Sequence, residues 1–435
     1  MRKLSGAVVA LVFLLGACSP APAAPSPAAA PTSAPAAAAP TTAPAAAPTT
    51  APAAAPTTAE AAPTTAPAAA ETPAASGAAP SGEPILIGFS APLTGDIAAN
   101  GEDGLSGARL AVKQINAKGG VLGRPLQLVE ADDRCDPKES ATVATKLVSQ
   151  KVVAIDGYYC SGAALAGLPI FQEAGDLFID FGANNSKLPG QGYDKFFSVI
   201  YMGGSPGTVA ARYAVQKMNI KKIAVVDDRT PALGEFAAAF EAEAKKQGAE
   251  VLLHDYITQG DKDFSTLITK IKGSGAELVF GGLYYDEGAL FVKQMKDQDA
   301  KFIFFGSDAV QDPQFLKIAG DTAEGIYMVA APQPNELDSA KQFLQDFKAE
   351  YNKDPGYISR FAYDGMFTIA AAYTAVGKVD NDAAGKWLHG LTKDTAIKGV
   401  GGPIFFLPDG TIPPEYLAFG IYQVKGGEYK LIAQT

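Results

Sequence analysis

Histidine, cysteine and tryptophan are nearly absent from this chain, with two, three and one among 435 residues. A structural zinc takes about four Cys or His ligands, and Cys135, Cys160, His254 and His389 are too scattered to argue for one. Two histidines also leave little for general-base chemistry. Gly203-Gly204-Ser205-Pro206-Gly207 satisfies G-x-S-x-G, but a nucleophile elbow needs a strand before it and a base beside it. Pro206 reads more naturally as a helix start. The acidic stretch 132–136 lacks the glycine and terminal glutamate of a calcium loop. No G-x-G-x-x-G follows a strand and no Walker pattern occurs, so a nucleotide has no support. Basic residues number 36 against 46 acidic ones. No basic cluster suggests nucleic acid, and the acidity reads as solubility. Beyond the N-terminus no apolar run approaches the roughly 20 residues of a membrane span. Catalysis, metal, cofactor and nucleic acid are therefore all poorly supplied.

What is present begins with the first eighteen residues. Arg2 and Lys3 precede an apolar run over 7–15, too short to span a bilayer, which reads as a signal peptide. It ends in Leu15-Gly16-Ala17-Cys18. That sequence is similar to a bacterial lipobox, whose cysteine becomes the lipidated N-terminus. The expected boundaries are a signal peptide over 1–17 and a tether over 18–83. The tether is almost wholly Ala, Pro, Thr and Ser, with Thr-Thr-Ala-Pro-Ala-Ala-Ala-Pro at 41–48 repeated at 49–56. It has no large apolar residue to bury, so it cannot build a core. An extended Pro-rich chain rises about 3.1 Å per residue, a reach of up to roughly 200 Å. Arg2, Lys3, Glu60 and Glu71 cancel, so the net charge of −10 belongs to the folded part. With Cys18 set aside, two cysteines remain. In an oxidising compartment they read as one disulfide, the alternative being two free thiols.

From residue 84 onward, short apolar runs alternate with amphipathic segments. Strands are predicted at 85–90, 126–131, 152–156 and 177–181, and helices at 104–118, 137–150 and 162–174. The pattern restarts with helices at 206–218, 233–247, 264–272 and 287–297, and strands at 222–226, 250–256, 278–281 and 302–305. Long helical stretches follow at 339–352 and 357–376. Repeated βα units mean α/β lobes, each a mostly parallel sheet flanked by helices. About 350 residues suit two such lobes better than one core. Ligands of such sheets bind beyond the carboxyl ends of the strands, so two facing lobes make a cleft.

Several stretches resemble one family in order along 84–425. Ile87-Gly88-Phe89-Ser90-Ala91-Pro92-Leu93-Thr94-Gly95 is similar to the opening strand and turn of branched-chain amino-acid-binding proteins. Ile115-Asn116-Ala117-Lys118-Gly119-Gly120-Val121-Leu122-Gly123-Arg124 resembles their first helix and its exit, and Asp132-Asp133-Arg134-Cys135-Asp136-Pro137 their second-strand loop. Lys262-Asp263-Phe264-Ser265 and Ala323-Glu324-Gly325 also fit. The resemblance implies a two-lobed type I periplasmic binding fold with three crossovers, near 203–204, 331–334 and 413–416. Lobe 1 would hold 84–203 and 333–414, and lobe 2 would hold 204–332 and 415–435. It further implies a Cys135–Cys160 disulfide, capture of a small amino-acid-like ligand, an ABC permease as partner, no enzymatic activity and no cofactor. A sensor or receptor role, or a ligand such as an amide, urea or aromatic acid, is the alternative.

By the same resemblance, Ser161 holds a ligand carboxylate at a helix start, where unpaired N–H groups favour anions. The plainer reading is that Ser161 only caps that helix. Gly182, Ala183 and Asn184 match the ligand loop, with Asn184 where relatives often carry threonine. Asp308 matches the acid that pairs with a ligand ammonium, against the reading that it caps the next helix. Tyr284 or Tyr285 is expected to line the cleft. Asn100 and Leu233 stand where relatives often carry a cleft tyrosine, and Tyr363 reads as packing.

Overall fold

The computed structural model describes residues 79–413 and 419–434. The expected signal peptide, Cys18 and the tether up to residue 78 lie outside the described residues, as does most of the expected crossover at 413–416. The first sheet has strands β1 (Ile85–Ala91), β2 (Leu126–Asp132), β3 (Ala154–Gly157), β4 (Leu177–Asp180) and β5 (Phe196–Ser198). Their order is β2-β1-β3-β4-β5, and every pairing is parallel. Between them run α1 (Ala98–Ala117), α2 (Pro137–Ser149) and α3 (Ser161–Ala174). After α4 (Ser205–Gln216) come β6 (Lys222–Asp227), α5 (Pro231–Lys246), β7 (Glu250–Tyr256), α6 (Ser265–Ser274), β8 (Leu278–Gly282), α7 (Tyr285–Asp297), β9 (Ile303–Gly306), α8 (Pro313–Ala319) and β10 (Tyr327–Ala330). The chain then returns to the first lobe with α9 (Lys341–Tyr351), α10 (Ser359–Val376), α11 (Asn381–His389) and the hairpin β11 (Ile397–Gly399) and β12 (Gly402–Ile404). It ends in β13 (Gly420–Lys425) and β14 (Glu428–Gln434). These two join the second sheet antiparallel, giving β14-β13-β10-β9-β8-β6-β7. The result is an α/β fold of two lobes, each a mostly parallel sheet flanked by helices.

Local chemistry accounts for the element ends. Asp136 caps α2 by accepting from the N–H groups of Lys138 and Glu139 at 2.8 and 2.9 Å, with Pro137 in the first turn. Helix α1 begins six residues before the predicted 104. Its first turns carry Asn100, Gly101 and Gly104 in place of an apolar stripe, and tertiary packing buries them regardless. Glycine is required there: a Cβ on Gly101 would lie 1.9 Å from the Pro92 carbonyl oxygen, and one on Gly107 1.9 Å from that of Ser359. Neither β5 nor any of β10 to β14 is predicted from the sequence; β5, β11 and β12 have three residues each, too few to carry a usable period.

Cys135 and Cys160 form a disulfide with Cα atoms 5.4 Å apart. It ties the loop after β2 to the junction between β3 and α3. On the second lobe, His254 of β7 lies between two carboxylates, 2.7 Å from Asp227 Oδ2 and 2.6 Å from Glu241 Oε2. The hydrogen bond to Asp227 is the main cause that raises its pKa above the ordinary histidine value, with Glu241 adding to it.

Replacing both Cys135 and Cys160 by alanine should lower unfolding stability by about 3 kcal/mol for a closed loop of 25 residues, read as a lower urea midpoint. His254 gives a pH signature. A pKa raised in the native state means its stabilisation is complete below the unfolded value near 6.5 and is lost as pH rises through the native value. His254→Gln should therefore lower Tm more at pH 6 than at pH 9; equal losses at both would remove the ion pairs as the cause.

Candidate ligand cleft

Each lobe presents strand–helix junctions to the other. In lobe 1, β3 runs into α3 through Cys160, which holds the extended N-cap conformation and makes no side-chain cap. Ser161 is the first helical residue and is buried. Its hydroxyl does not cap α3: Oγ accepts from the backbone N–H groups of Asn184 and Asn185 at 3.1 and 3.2 Å. Those bonds use its lone pairs only and leave its proton for an acceptor.

The loop they fix follows β4. Asp180 Oδ1 accepts from the N–H groups of Gly182 and Ala183 at 3.3 and 2.9 Å. The Tyr158 carbonyl also accepts from Ala183. A Cβ on Gly182 would lie 2.9 Å from both the Tyr158 carbonyl oxygen and the Tyr159 Cα, so only glycine lets this loop lie on the β3–α3 junction. The Asn184 carbonyl accepts from Gly203 N–H at 2.7 Å, at the start of the passage to lobe 2.

Between the lobes lies a narrow cavity of about 20 Å³, nearly filled by the side chains around it. Lobe 1 supplies Tyr159, Gly182, Asn184 and Tyr357, and lobe 2 supplies Ala232, Leu233, Phe236, Tyr284, Asp308 and Ala309. Asp308 follows β9 and opens a short 3-10 turn. It does not cap α8, whose cap is Asp312, accepting from Gln314 N–H at 2.7 Å. Asp308 is buried, and among the described residues no cation lies within ion-pair distance of it. Burial pushes its carboxyl up to about 7, although the Ala309 N–H opposes the shift. Burial likewise raises the Tyr159, Tyr284 and Tyr357 phenols, so these rings stay neutral.

The sequence-predicted residues divide into three groups. Gly182, Asn184, Tyr284 and Asp308 line the cavity, with Leu233 beside them. Ser161 and Ala183 stand behind it, within the hydrogen bonds that shape its wall. Tyr285 and Asn100 instead join the lobes at the rim: the Tyr285 hydroxyl donates to the Asp96 carbonyl at 2.5 Å, and Asn100 Nδ2 to Asp312 Oδ2 at 3.3 Å. Tyr363 packs against Phe343 and donates to Gln114 Oε1, as a packing residue should. Tyr159, Phe236, Ala232, Ala309 and Tyr357 were missed. Tyr159 could have been found, since it directly precedes Cys160, and Phe236 lies one helical turn after Leu233. Tyr357 precedes α10 on a segment distant in sequence, and nothing local marks it.

More contacts close the rim. Lys262 Nζ bridges Asp96 Oδ2 of lobe 1 at 3.0 Å and Asp286 Oδ2 of lobe 2 at 3.2 Å. Opposite, Asn185 Nδ2 donates to the Pro231 carbonyl and to Glu235 Oε2 at 2.7 and 2.8 Å. A wider hollow of about 1830 Å³, much of it open solvent, lies on lobe 1 beside Gln114, Phe343 and Tyr363. It touches neither set of strand–helix junctions. Nor is a hydrolase built at Ser205: β5 ends seven residues earlier, His254 is held by its carboxylates, and His389 Nε2 lies 3.0 Å from the Asp194 carbonyl.

Residues 84–428 match the family described as periplasmic binding protein. An amino acid binding protein of Pseudomonas aeruginosa is 34% identical over 72% of this chain and 84% of its own length. A leucine-, isoleucine-, valine-, threonine- and alanine-binding protein of the same organism is 32% identical over 73% of this chain and 85% of its own. Among solved structures, a branched-chain amino acid transporter substrate binding protein of Streptococcus pneumoniae in complex with isoleucine superposes with a TM-score of 0.73, at 27% identity over 81% of this chain and 99% of that one. A Rhodopseudomonas palustris solute binding protein in complex with benzoate, at 21% identity and a TM-score of 0.74 over 81% and 96%, shares the fold. With the family matched over most of its length and the strand–helix junctions of its two lobes facing one another, the chain belongs to the periplasmic binding proteins, the non-enzymatic substrate-binding proteins of ABC transporters.

Proposed function

We propose that this chain captures a small α-amino acid with an apolar side chain between its lobes and presents it to an ABC permease from a lipid anchor at Cys18. The observation that carries this reading is Asp308, a buried carboxyl without a cationic partner in a small, aromatic-walled cavity. A buried charge needs a partner, and a ligand ammonium would supply it, with the Gly182 carbonyl as a second acceptor. The ligand carboxylate would meet the Ser161 hydroxyl and the unpaired N–H groups at the start of α3. Leu233 and Phe236 would take the apolar tail, with Tyr159 and Tyr284 as walls. An aromatic acid, urea or a simple amide brings no full cation to Asp308, which favours an amino acid.

In this reading the lobes are 84–203 with 333–414 and 204–332 with 415–435. They hinge where the chain passes between them, and closure buries the ligand. Lys262, Tyr285 and Asn100 then serve closure rather than recognition. The signal peptide and tether would place the folded part on the outer face of the cytoplasmic membrane. Among the described residues, no helix is long and apolar enough to cross it.

Calorimetry on protein refolded to remove carried ligand should show binding of an aliphatic amino acid and none of benzoate or urea; the reverse pattern would remove Asp308 from its role. Asp308→Asn should weaken binding by about 1.5–3 kcal/mol, the worth of a charge-assisted hydrogen bond, or roughly tenfold to over a hundredfold. The Asp308 carboxyl, near pKa 7 without ligand, must be ionised to pair with an ammonium. Affinity should therefore rise from pH 6 to pH 8, with proton release that fades above that range; a flat profile would contradict the pairing. Lys262 is half-exposed, and such bridges contribute about 0–1 kcal/mol. Lys262→Ala should thus speed ligand release by up to about fivefold, less at high salt, without changing which amino acid binds best.

A further inference from the structure

Behind the cavity wall, one buried carboxyl joins two elements that ligand capture must coordinate. We propose that Asp180 is a positioning residue that couples the loop 182–184 to the first passage of the chain between the lobes. The proposal rests on the ligand cleft described above and adds a device to it.

Asp180 is the last residue of β4 and is fully buried. Its two oxygens face different ways. Oδ1 accepts from the Gly182 and Ala183 amides of the ligand loop. Oδ2 lies 2.8 Å from the hydroxyl of Ser198, the last residue of β5. Ser198 Oγ is also 3.0 Å from the Ile200 carbonyl and 3.3 Å from the Ile200 N–H, both in the passage. Backbone bonds add to the link: Val199 N–H donates to the Asp180 carbonyl at 2.9 Å and Gly203 N–H to that of Asn184 at 2.7 Å. Residues 199–203 are therefore tied at both ends to the strand and loop that shape lobe 1's half of the cavity.

Hydrogen counting sharpens the picture. Ser198 has one hydroxyl proton and two acceptors in reach, Asp180 Oδ2 and the Ile200 carbonyl. Both contacts are satisfied together only if Asp180 is neutral, so that its Oδ2–H donates to Ser198 Oγ while Ser198 donates to Ile200. Burial, which raises this carboxyl to about 8, agrees with a neutral form at pH 7. The relay then runs in one direction: loop amides to Oδ1, Oδ2–H to Ser198, Ser198 to the passage. An asparagine reproduces it, with Oδ1 accepting and Nδ2 donating, and an alanine abolishes it. Rotation of the passage during hinge motion shifts Ile200 and Ser198, and with them the carboxyl that fixes the loop amides.

The test needs no ligand. Amide hydrogen exchange on the full chain would compare wild type with Ser198→Ala, Asp180→Asn and Asp180→Ala. Ser198→Ala touches only the passage arm, so the relay requires Gly182 and Ala183, two steps away, to exchange about tenfold faster, the worth of a hydrogen bond. Asp180→Asn should stay within about twofold of wild type at these amides. Asp180→Ala should lose protection at Gly182, Ala183 and Ile200 together. Faster exchange confined to 198–200 in Ser198→Ala, or an asparagine variant as perturbed as alanine, would overturn the proposal. If Asp180→Ala fails to fold, the other two variants decide. Titration with L-isoleucine is the second arm, where Ser198→Ala should weaken binding several-fold while the order of preference among amino acids is kept. Wild type that ignores L-isoleucine would count against the proposed ligand, and the exchange result would still judge the relay.

Discussion

The Ser161 hydroxyl, accepting the amides of Asn184 and Asn185, is the contact on which lobe 1's half of the cavity depends. It links the start of α3 to the loop after β4, two elements that the parallel sheet places side by side but does not itself join. The disulfide from Cys160 to Cys135 holds the same junction to the loop after β2. Three consecutive strand ends, those of β2, β3 and β4, are thus fastened at their carboxyl edge, where sheets of this kind bind ligands. A helix N-terminus with unpaired donors, held against a fixed loop, is a ready anion site.

Opposite it stands a buried acid. Lobe 2 brings Asp308 into the cavity without a protein cation, and burial raises its pKa as the cost of that isolation. Donors on one lobe and a carboxyl on the other form a dipolar frame, which a zwitterion would complement. Tyrosine, phenylalanine and leucine side chains fill the rest, excluding water and strengthening each polar contact. The same low polarity makes an unpaired group expensive, so polar recognition here is selective as well as strong.

Inside the cleft the Tyr159 and Tyr284 rings meet across the lobes, and polar contacts join the lobes around it. Lys262 between Asp96 and Asp286, Tyr285 on the Asp96 carbonyl, Asn100 on Asp312 and Asn185 on Pro231 and Glu235 join surfaces that must also part. Of these, the half-exposed Lys262 bridge contributes little. That suits a hinge whose closed form should be favoured chiefly by what it encloses.

Much of this was legible in the sequence. Repeated βα periods gave two α/β lobes, and Asp136-Pro137 and Pro206 marked helix starts, because local propensity and amphipathic period act over one element. Gly182, Asn184 and Asp308 could be placed through the family resemblance, and Tyr284 because it follows a strand end. Strands β5, β11 and β12, of three residues each, are too short to carry a period, and the first turns of α1 have glycine and asparagine where a stripe would be apolar. Only the tertiary structure moved Tyr285 and Asn100 from the cavity to the rim, since a side chain's direction at a helix start depends on the rotation of that helix against its neighbours. Only it brought in Tyr357, Phe236 and the Asp180–Ser198 link, which join segments far apart in the chain. Sequence alone determined the longer elements and their order, because those are local free energies; the shortest strands and which side chains meet were decided by packing, an interaction with no local signature.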